Sequence, residues 1–247
     1  MGIIKGSDVE LMRESGRIVR RSLEEMKSFI RPGVTTSEIE DIGRKVIEAG
    51  GATPSFLGYN GYPAAICVSI NNEVVHGIPS RERKVRDGDL VSIDAGAFKN
   101  GFHGDAADTV VVGIADHRAM LLVRTVYEAR DLGIKAAVPG NSLGDIGSAI
   151  QDHVEAQGFS VVRALVGHGI GRKLHEPPQV PNFGRSGKGM KLTEGLAIAI
   201  EPMINIGGYR VRTLHDNWTI VTADGSLSAH AEHSIVVRGE EPLILTA

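Results

Sequence analysis

The sequence predicts one α+β domain built from two similar halves, and three observations carry that prediction. Segments of the second half repeat those of the first at a single offset. A tight hairpin signal puts two aspartates on one face of a strand pair. In each half, stretches of helical apolar spacing precede stretches of strand character.

Ser7-x-x-Glu10 reads as a capping box opening a helix that runs to about Phe29. Val9, Met12, Ile18, Val19, Leu23 and Met26 recur along it at helical spacing. Pro32-Gly33 stops it, and a second helix, about Ser37 to Ala49, closes at Gly50-Gly51. Residues 64–70 and 89–95 read as strands separated by a loop at 71–88. The basic run RERKVR at 81–86 falls in that loop and is best read as a solvated face, with docking on an acidic partner the lesser reading.

Asn100-Gly101 is a strong type I′ turn signal, because both central residues need positive φ. Partners across such a hairpin have numbers summing to 201, so Asp94 faces position 107 and Asp105 faces position 96. Side chains alternate with period two, which puts Asp94 and Asp105 on one face about 6–8 Å apart and Asp108 on the other. Two carboxylates that close repel unless a proton or a cation lies between them. A shared divalent metal is the better expectation.

The repeat has an offset of 107 residues (139 − 32). Pro32-Gly33 falls on Pro139-Gly140, Ile39 on Ile146, Glu48-Ala49 on Glu155-Ala156 and Gly51 on Gly158. Asp87-Gly88 meets Glu194-Gly195, Ile93 meets Ile200, and Asp94 meets Glu201. The returning acid has its counterpart too: Asp105 leads into DTVVVG and Glu232 into HSIVVRG. Between Glu201 and Glu232 the chain is longer, with room for a hairpin around Gly207-Gly208 and another at Asp224-Gly225. The expected organisation is a single catalytic domain, 1–247, with an internal duplication of roughly 8–113 and 120–239. Its four acids should gather around a pseudo-two-fold axis.

Composition sets the remaining bounds. With 42% hydrophobic and 23% charged residues the chain is an ordinary folded protein, and a net charge of −3 argues against a dedicated nucleic-acid binder. One cysteine, Cys67, leaves no internal disulfide and suits a reducing compartment. The N-terminus has no signal-peptide character, and no apolar run reaches the ~18 residues of a membrane span. A cytoplasmic monomer follows as the expectation, since nothing suggests an obligate interface.

Four carboxylates alone would suit calcium. A histidine among them favours Mn, Fe, Co or Zn. His168, in GHGIG, is the candidate, and its flanking glycines would let a metal or substrate approach. A phosphate-loop reading of that stretch lacks the strand-GxGxxG-helix context. Phe56, Tyr59 and Tyr62 crowd into SFLGYNGYP in a chain only 4% aromatic, as either a small apolar core or a pocket wall.

His76 in HGIP, Asp94, Asp105 in GFHGD, His168 in GHGIG, His175 in LHEPP, Glu201 in IEPM and Glu232 in EHSIVV resemble, in order and spacing, the type I methionine aminopeptidases. The likeness spans nearly the whole chain. It implies the pita-bread fold: two α+β halves related by a pseudo-two-fold axis, with a curved antiparallel sheet covered by helices. It also implies two divalent metal ions held by Asp94, Asp105, His168, Glu201 and Glu232, with Asp105 and Glu232 bridging. His76 and His175 would face the substrate, His175 donating to the oxyanion and His76 holding the second residue's backbone, while Glu201 carries the proton to the leaving amine. Tyr59, Tyr62, Cys67 and Trp218 match positions that hold the methionine side chain. Phe56 and Leu174 stand where the family more often has a cysteine and an aromatic residue. The implied substrates are N-terminal peptides of nascent proteins with a small second residue, met through a transient ribosome contact. The short gap from His175 to Glu201 leaves no room for the type II insertion, and the chain begins too late for the N-terminal domain of prolidases. A metal-free binding module and a two-metal phosphoesterase are the competing readings; the second would want Arg or Lys at the site.

Overall fold

Each half lays two helices across a sheet. The computed structural model describes residues 3–247, so the first two residues of the expected domain lie outside it. Among the described residues the helices are α1 (Ser7–Phe29), α2 (Thr36–Ala49), α3 (His117–Ala136) and α4 (Leu143–Ala156). The strands of the first half are β1 (Thr53–Pro54), β2 (Ile66–Ile70), β3 (Glu73–Val75), β4 (Leu90–Lys99) and β5 (Phe102–Val111). Those of the second are β6 (Ser160–Val161), β7 (Gly167–Gly169), β8 (Glu176–Val180), β9 (Ala197–Ile200), β10 (Met203–Asn205), β11 (Val211–Thr213), β12 (Ile220–Thr222), β13 (Ser228–His230), β14 (His233–Val236) and β15 (Leu243–Ile244).

Helix α1 buries Met12, Val19, Leu23 and Met26, the stripe expected from their spacing. Its start differs from the expectation. The N-cap is Gly6 at φ 56° with no side-chain cap, and Ser7 already lies inside the helix, one position too late to cap it. Capping boxes occur instead where the second helix of each half begins. Thr35 and Glu38 exchange backbone–side-chain hydrogen bonds at α2, and the Asp145 carboxylate accepts from the Ser142 N–H at α4.

The two halves keep the same offset in three dimensions. Helices α2 and α4, and strands β1 and β6, are each 107 residues apart. The isolated bridges Thr35↔Lys84 and Ser142↔Lys191 keep that offset as well. Gly33 (φ 93°) and Gly140 (φ 92°) turn the chain in the same left-handed way. Val19, Leu23, Ile39, Ile47, Ile66 and Ile93 form one core; Leu122, Val126, Ile146, Ile150, Ile198 and Ile200 form its counterpart.

Strands β4 and β5 pair in the expected register, Asp94 opposite Ala107 and Gly96 opposite Asp105. A second sheet runs β15-β14-β9-β7-β8. The outer edge of β5 joins the halves. The Glu232 N–H donates to the Ala107 carbonyl at 2.9 Å, and the Ser234 hydroxyl bonds both the carbonyl and the N–H of Asp105, at 2.7 and 3.1 Å.

Two loop expectations are corrected. The segment 71–88 contains β3, which pairs with β12. The long excursion is one bent ribbon, not two hairpins: β10 pairs with β13 and β11 with β12. Gly207-Gly208 and Asp224-Gly225 are opposing bends in its two arms, tied by the Gly208 N–H donating to Asp224 at 2.7 Å. Both dipeptides look like chain reversals, because a bend and a turn ask for the same backbone freedom.

Asp108 occupies the helix-facing side of β5 and is buried. Arg20 and Lys27 of α1 donate to it at 2.7 and 2.6 Å. Burial alone would raise this carboxyl, but those hydrogen bonds and charges outweigh it and hold the group below its usual value of 3.8. Asp108→Asn leaves its cations uncompensated and should cost roughly 3 kcal/mol in urea unfolding. A depressed carboxyl stabilises above its unfolded pKa, so the gap from wild type should close as pH falls below 3.8.

Candidate active site

Alternation decides which side chains reach the cleft. On β4, Val91, Ile93 and Ala95 face the helices, so Asp94 faces away from them. Ile198 and Ile200 of β9 face the second helix pair, and Glu201 follows the same rule. The seam along β5 then brings Asp105 and Glu232 together across the axis.

His168 lies between strands on β7. A Cβ on Gly167 would come within 2.3 Å of the Ala199 carbonyl, and one on Gly169 within 2.4 Å of the Pro177 carbonyl. The flanking glycines therefore serve the close packing of β7 between β8 and β9, a different reason from ligand access. The His168 Nδ1 sits 2.9 Å from the Gly169 carbonyl. Donation from Nδ1 leaves Nε2 with a free lone pair, the form that binds metal. That Nε2 is 3.4 Å from Glu201 Oε1 and 3.9 Å from Asp105 Oδ2.

One ligand atom each from Asp105, His168 and Glu232 lies within 4.8 Å of the others. Asp94 Oδ1, Asp105 Oδ1 and Glu232 Oε1 are buried without a hydrogen-bond partner among the described residues. Desolvation, and then the neighbouring carboxylates, push Asp105 well above the usual range; the same causes raise Glu201 and Glu232. Burial raises Asp94 to about 7. Orphaned buried oxygens beside an imidazole lone pair fit a divalent cation of the Mn, Fe, Co or Zn group.

All thirteen residues singled out from the sequence line a single cavity of about 210 Å³, with Asn60 beside them. The acids and His168 share it with an apolar cluster of Phe56, Tyr62, Cys67, Leu174 and Trp218, in which the Tyr62 and Trp218 rings are edge-on at 5.1 Å. Cys67 is the cross-strand partner of Asp94, and burial first, then the Asp94 charge, push its thiol up, so it packs as a neutral apolar group. His175 is exposed at the rim, its Nδ1 2.7 Å from the Tyr59 hydroxyl and its ring 4.2 Å from that of His168. His76 has φ 60°, a conformation non-glycine residues rarely adopt. Its loop is pinned by the Gly77 carbonyl, which accepts from Val68 N–H at 2.9 Å and from the Tyr62 hydroxyl at 3.0 Å. Burial lowers His76 to about 4 and His168 to about 3, so both are neutral at pH 7.

Two neighbours escaped the sequence reading. Asn60, at φ 49°, turns the aromatic loop. His230 is buried, its Nε2 unpartnered and 3.9 Å from Glu201 Oε2. The signal for His230 was available: it is two residues before Glu232 in AHAEH, hence on the same side of an extended chain.

Orphaned carboxylates, a lone-pair imidazole and an apolar chamber on a duplicated α+β frame define a metal-dependent hydrolase site. The chain belongs to metallopeptidase family M24, whose model matches residues 10–239, and its fold is that family's pita-bread architecture. It is 52% identical to a methionine aminopeptidase of Clostridium perfringens over 97% of this chain and 96% of that one. It is 49% identical to methionine aminopeptidase 1 of Bacillus subtilis, over 93% and 92% of the respective chains. The crystal structure of methionine aminopeptidase from Thermotoga maritima superposes with a TM-score of 0.98, at 44% identity, covering 100% of this chain and 99% of that one.

Raised carboxyls bind protons more tightly in the folded state, so the metal-free protein should lose stability as pH rises from about 5 to 8. Calorimetry in chelator should record a falling midpoint. Divalent cation should restore it, and Asp105→Asn should flatten the decline; a level wild-type profile would contradict the crowding.

Proposed function

We propose that this protein is a type I methionine aminopeptidase, removing the initiator methionine from nascent chains whose second residue is small. One observation carries the reading: a single cavity of about 210 Å³ joins the acid–histidine cluster to apolar and aromatic side chains. Full-length identity near one half to proteins of that name supports it. No lysine or arginine lines the cavity among the described residues, which disfavours phosphate esters as substrates.

Asp94, Asp105, His168, Glu201 and Glu232 would hold two divalent ions (Co, Mn, Fe or Zn), Asp105 and Glu232 being the acids the two halves bring together across the axis. Such ions, when bound, polarise a carbonyl oxygen and lower the pKa of water. The chain's own groups do the rest. The aromatic chamber excludes water and receives the thioether, which rings attract weakly. Phe56 and Leu174 are part of its lining. With the Tyr59 hydroxyl donating to His175 Nδ1, the proton sits on His175 Nε2, a neutral donor for the developing oxyanion. His76, held neutral by burial, can hydrogen-bond the backbone of the second residue. Glu201, its carboxyl raised by burial and neighbouring acids, is suited to pass a proton to the leaving amine.

We further take residues 1–247 as one internally duplicated catalytic domain, acting as a cytoplasmic monomer that meets its substrates at the ribosome. Met-Ala-Ser should yield free methionine in a chelator-sensitive reaction, while a phosphate monoester stays intact. His175→Ala should lower kcat by about 10²–10³ while retaining two metals per chain. Loss of metal from that variant would instead make His175 a ligand.

A further inference from the structure

Two imidazoles flank the Glu201 carboxylate. Its Oε1 is 3.4 Å from His168 Nε2, and its Oε2 is 3.9 Å from His230 Nε2. His168 turns a lone pair toward it, because Nδ1 is the nitrogen beside the Gly169 carbonyl. His230 is placed differently. It is 2% exposed and does not line the cavity, and its Nε2 is buried without a hydrogen-bond partner among the described residues. Substrate therefore does not touch it.

Main-chain pairing fixes where this residue stands. His230 lies opposite Met203 in the β13–β10 pair, and the Ala231 N–H donates to the Pro202 carbonyl at 3.3 Å. The Thr109 hydroxyl accepts from the His230 N–H at 3.0 Å and donates to the His230 carbonyl at 2.7 Å. Thr109 has then used its one hydrogen, so Ser92, opposite it on β4, is the donor in the 2.7 Å contact between their hydroxyls. The backbone under the ring is thus tied to β4 and β5, the strands that carry Asp94 and Asp105.

We propose that His230 is the positioning residue of Glu201: its Nε2–H anchors Oε2 and leaves Oε1 turned toward the acid–histidine cluster. The inference rests on the assignment of Glu201 as a metal ligand and adds the group that orients it. A buried ring nitrogen facing a carboxylate oxygen is favourable only when it carries the proton, and a buried N–H left without an acceptor is costly. A shift of about 1 Å at Oε2 brings the pair within hydrogen-bond range. Partners of this kind behind a ligand are worth about 10–100-fold in metal affinity.

Calorimetric titration of the metal-free protein with cobalt(II) tests this without any turnover. His230→Leu, similar in bulk but lacking the N–H, should weaken by about tenfold the same ion that Glu201→Ala weakens. His230→Gln places an amide N–H near the position of Nε2 and should return to within about threefold of wild type; His230→Asn is too short and should not. In a Glu201→Ala background the leucine substitution should change cobalt affinity by less than about twofold, because the group it acts through is gone. A histidine that only fills the core predicts equal losses for the Gln and Asn variants and an undiminished effect beside Glu201→Ala; either result overturns the proposal. Should the leucine variant fail to fold, the comparison of Gln with Asn decides alone. Wild type that takes up no cobalt overturns the metal assignment and this inference with it. Wild type that binds cobalt, with His230→Leu its equal, overturns the role of His230 alone.

Discussion

Crowding of negative charge in a poorly solvated cleft is the constraint around which the rest of the molecule is arranged. Two unit charges 4 Å apart repel by about 4 kcal/mol at an effective dielectric of 20. Asp94, Asp105, Glu201 and Glu232 meet with little water around them, and all four carboxyls are pushed upward. The nearest imidazole cannot relieve this, because burial keeps His168 neutral. Only protons or cations can. A protein selected for stability alone would not assemble such a cluster, so its presence is an argument about function.

The backbone achieves the convergence by duplication. Each half contributes a strand whose apolar side faces two helices and whose other side carries an acid, so either half alone would offer only its own pair. The seam makes a site of them: Glu232 N–H to Ala107, and Ser234 to both backbone groups of Asp105. The hairpin itself is set by contact with α1, since a Cβ on Gly104 would come within 2.7 Å of the Gly16 nitrogen. Asp108 completes the arrangement on the other face by tying β5 to Arg20 and Lys27. One strand thus carries an acid crowded by like charges in the cleft and another already matched by cations behind it.

Much of this was legible in the sequence because it depends on period and offset. The Asn100-Gly101 turn fixed a register that holds residue for residue, and the 107-residue offset anticipated the bounds of α4 from those of α2. Ser7 misled, because a capping motif is defined by side-chain geometry that the letters only permit. The bends at Gly207-Gly208 and Asp224-Gly225 misled because glycine marks backbone freedom without saying how far the chain turns. His76 at φ 60° carries no sequence signal at all: a histidine is held there by the Tyr62 hydroxyl and Val68 through the carbonyl of Gly77.

Burial also divides the labour among the polar groups. The same desolvation that pushes the carboxyls up pushes His76, His168 and His230 down, so all three are uncharged at neutral pH. A neutral imidazole has one donor and one acceptor, and its partner on one nitrogen decides what the other can do. The Gly169 carbonyl can only accept, which makes His168 an acceptor toward the cluster, whereas the Tyr59 hydroxyl can donate or accept and so leaves His175 free to take either role toward the cavity. Two histidines whose rings lie 4.2 Å apart are therefore set differently: an uncharged backbone carbonyl fixes the proton of one, and a phenol hydroxyl leaves that of the other to the group it meets in the cavity.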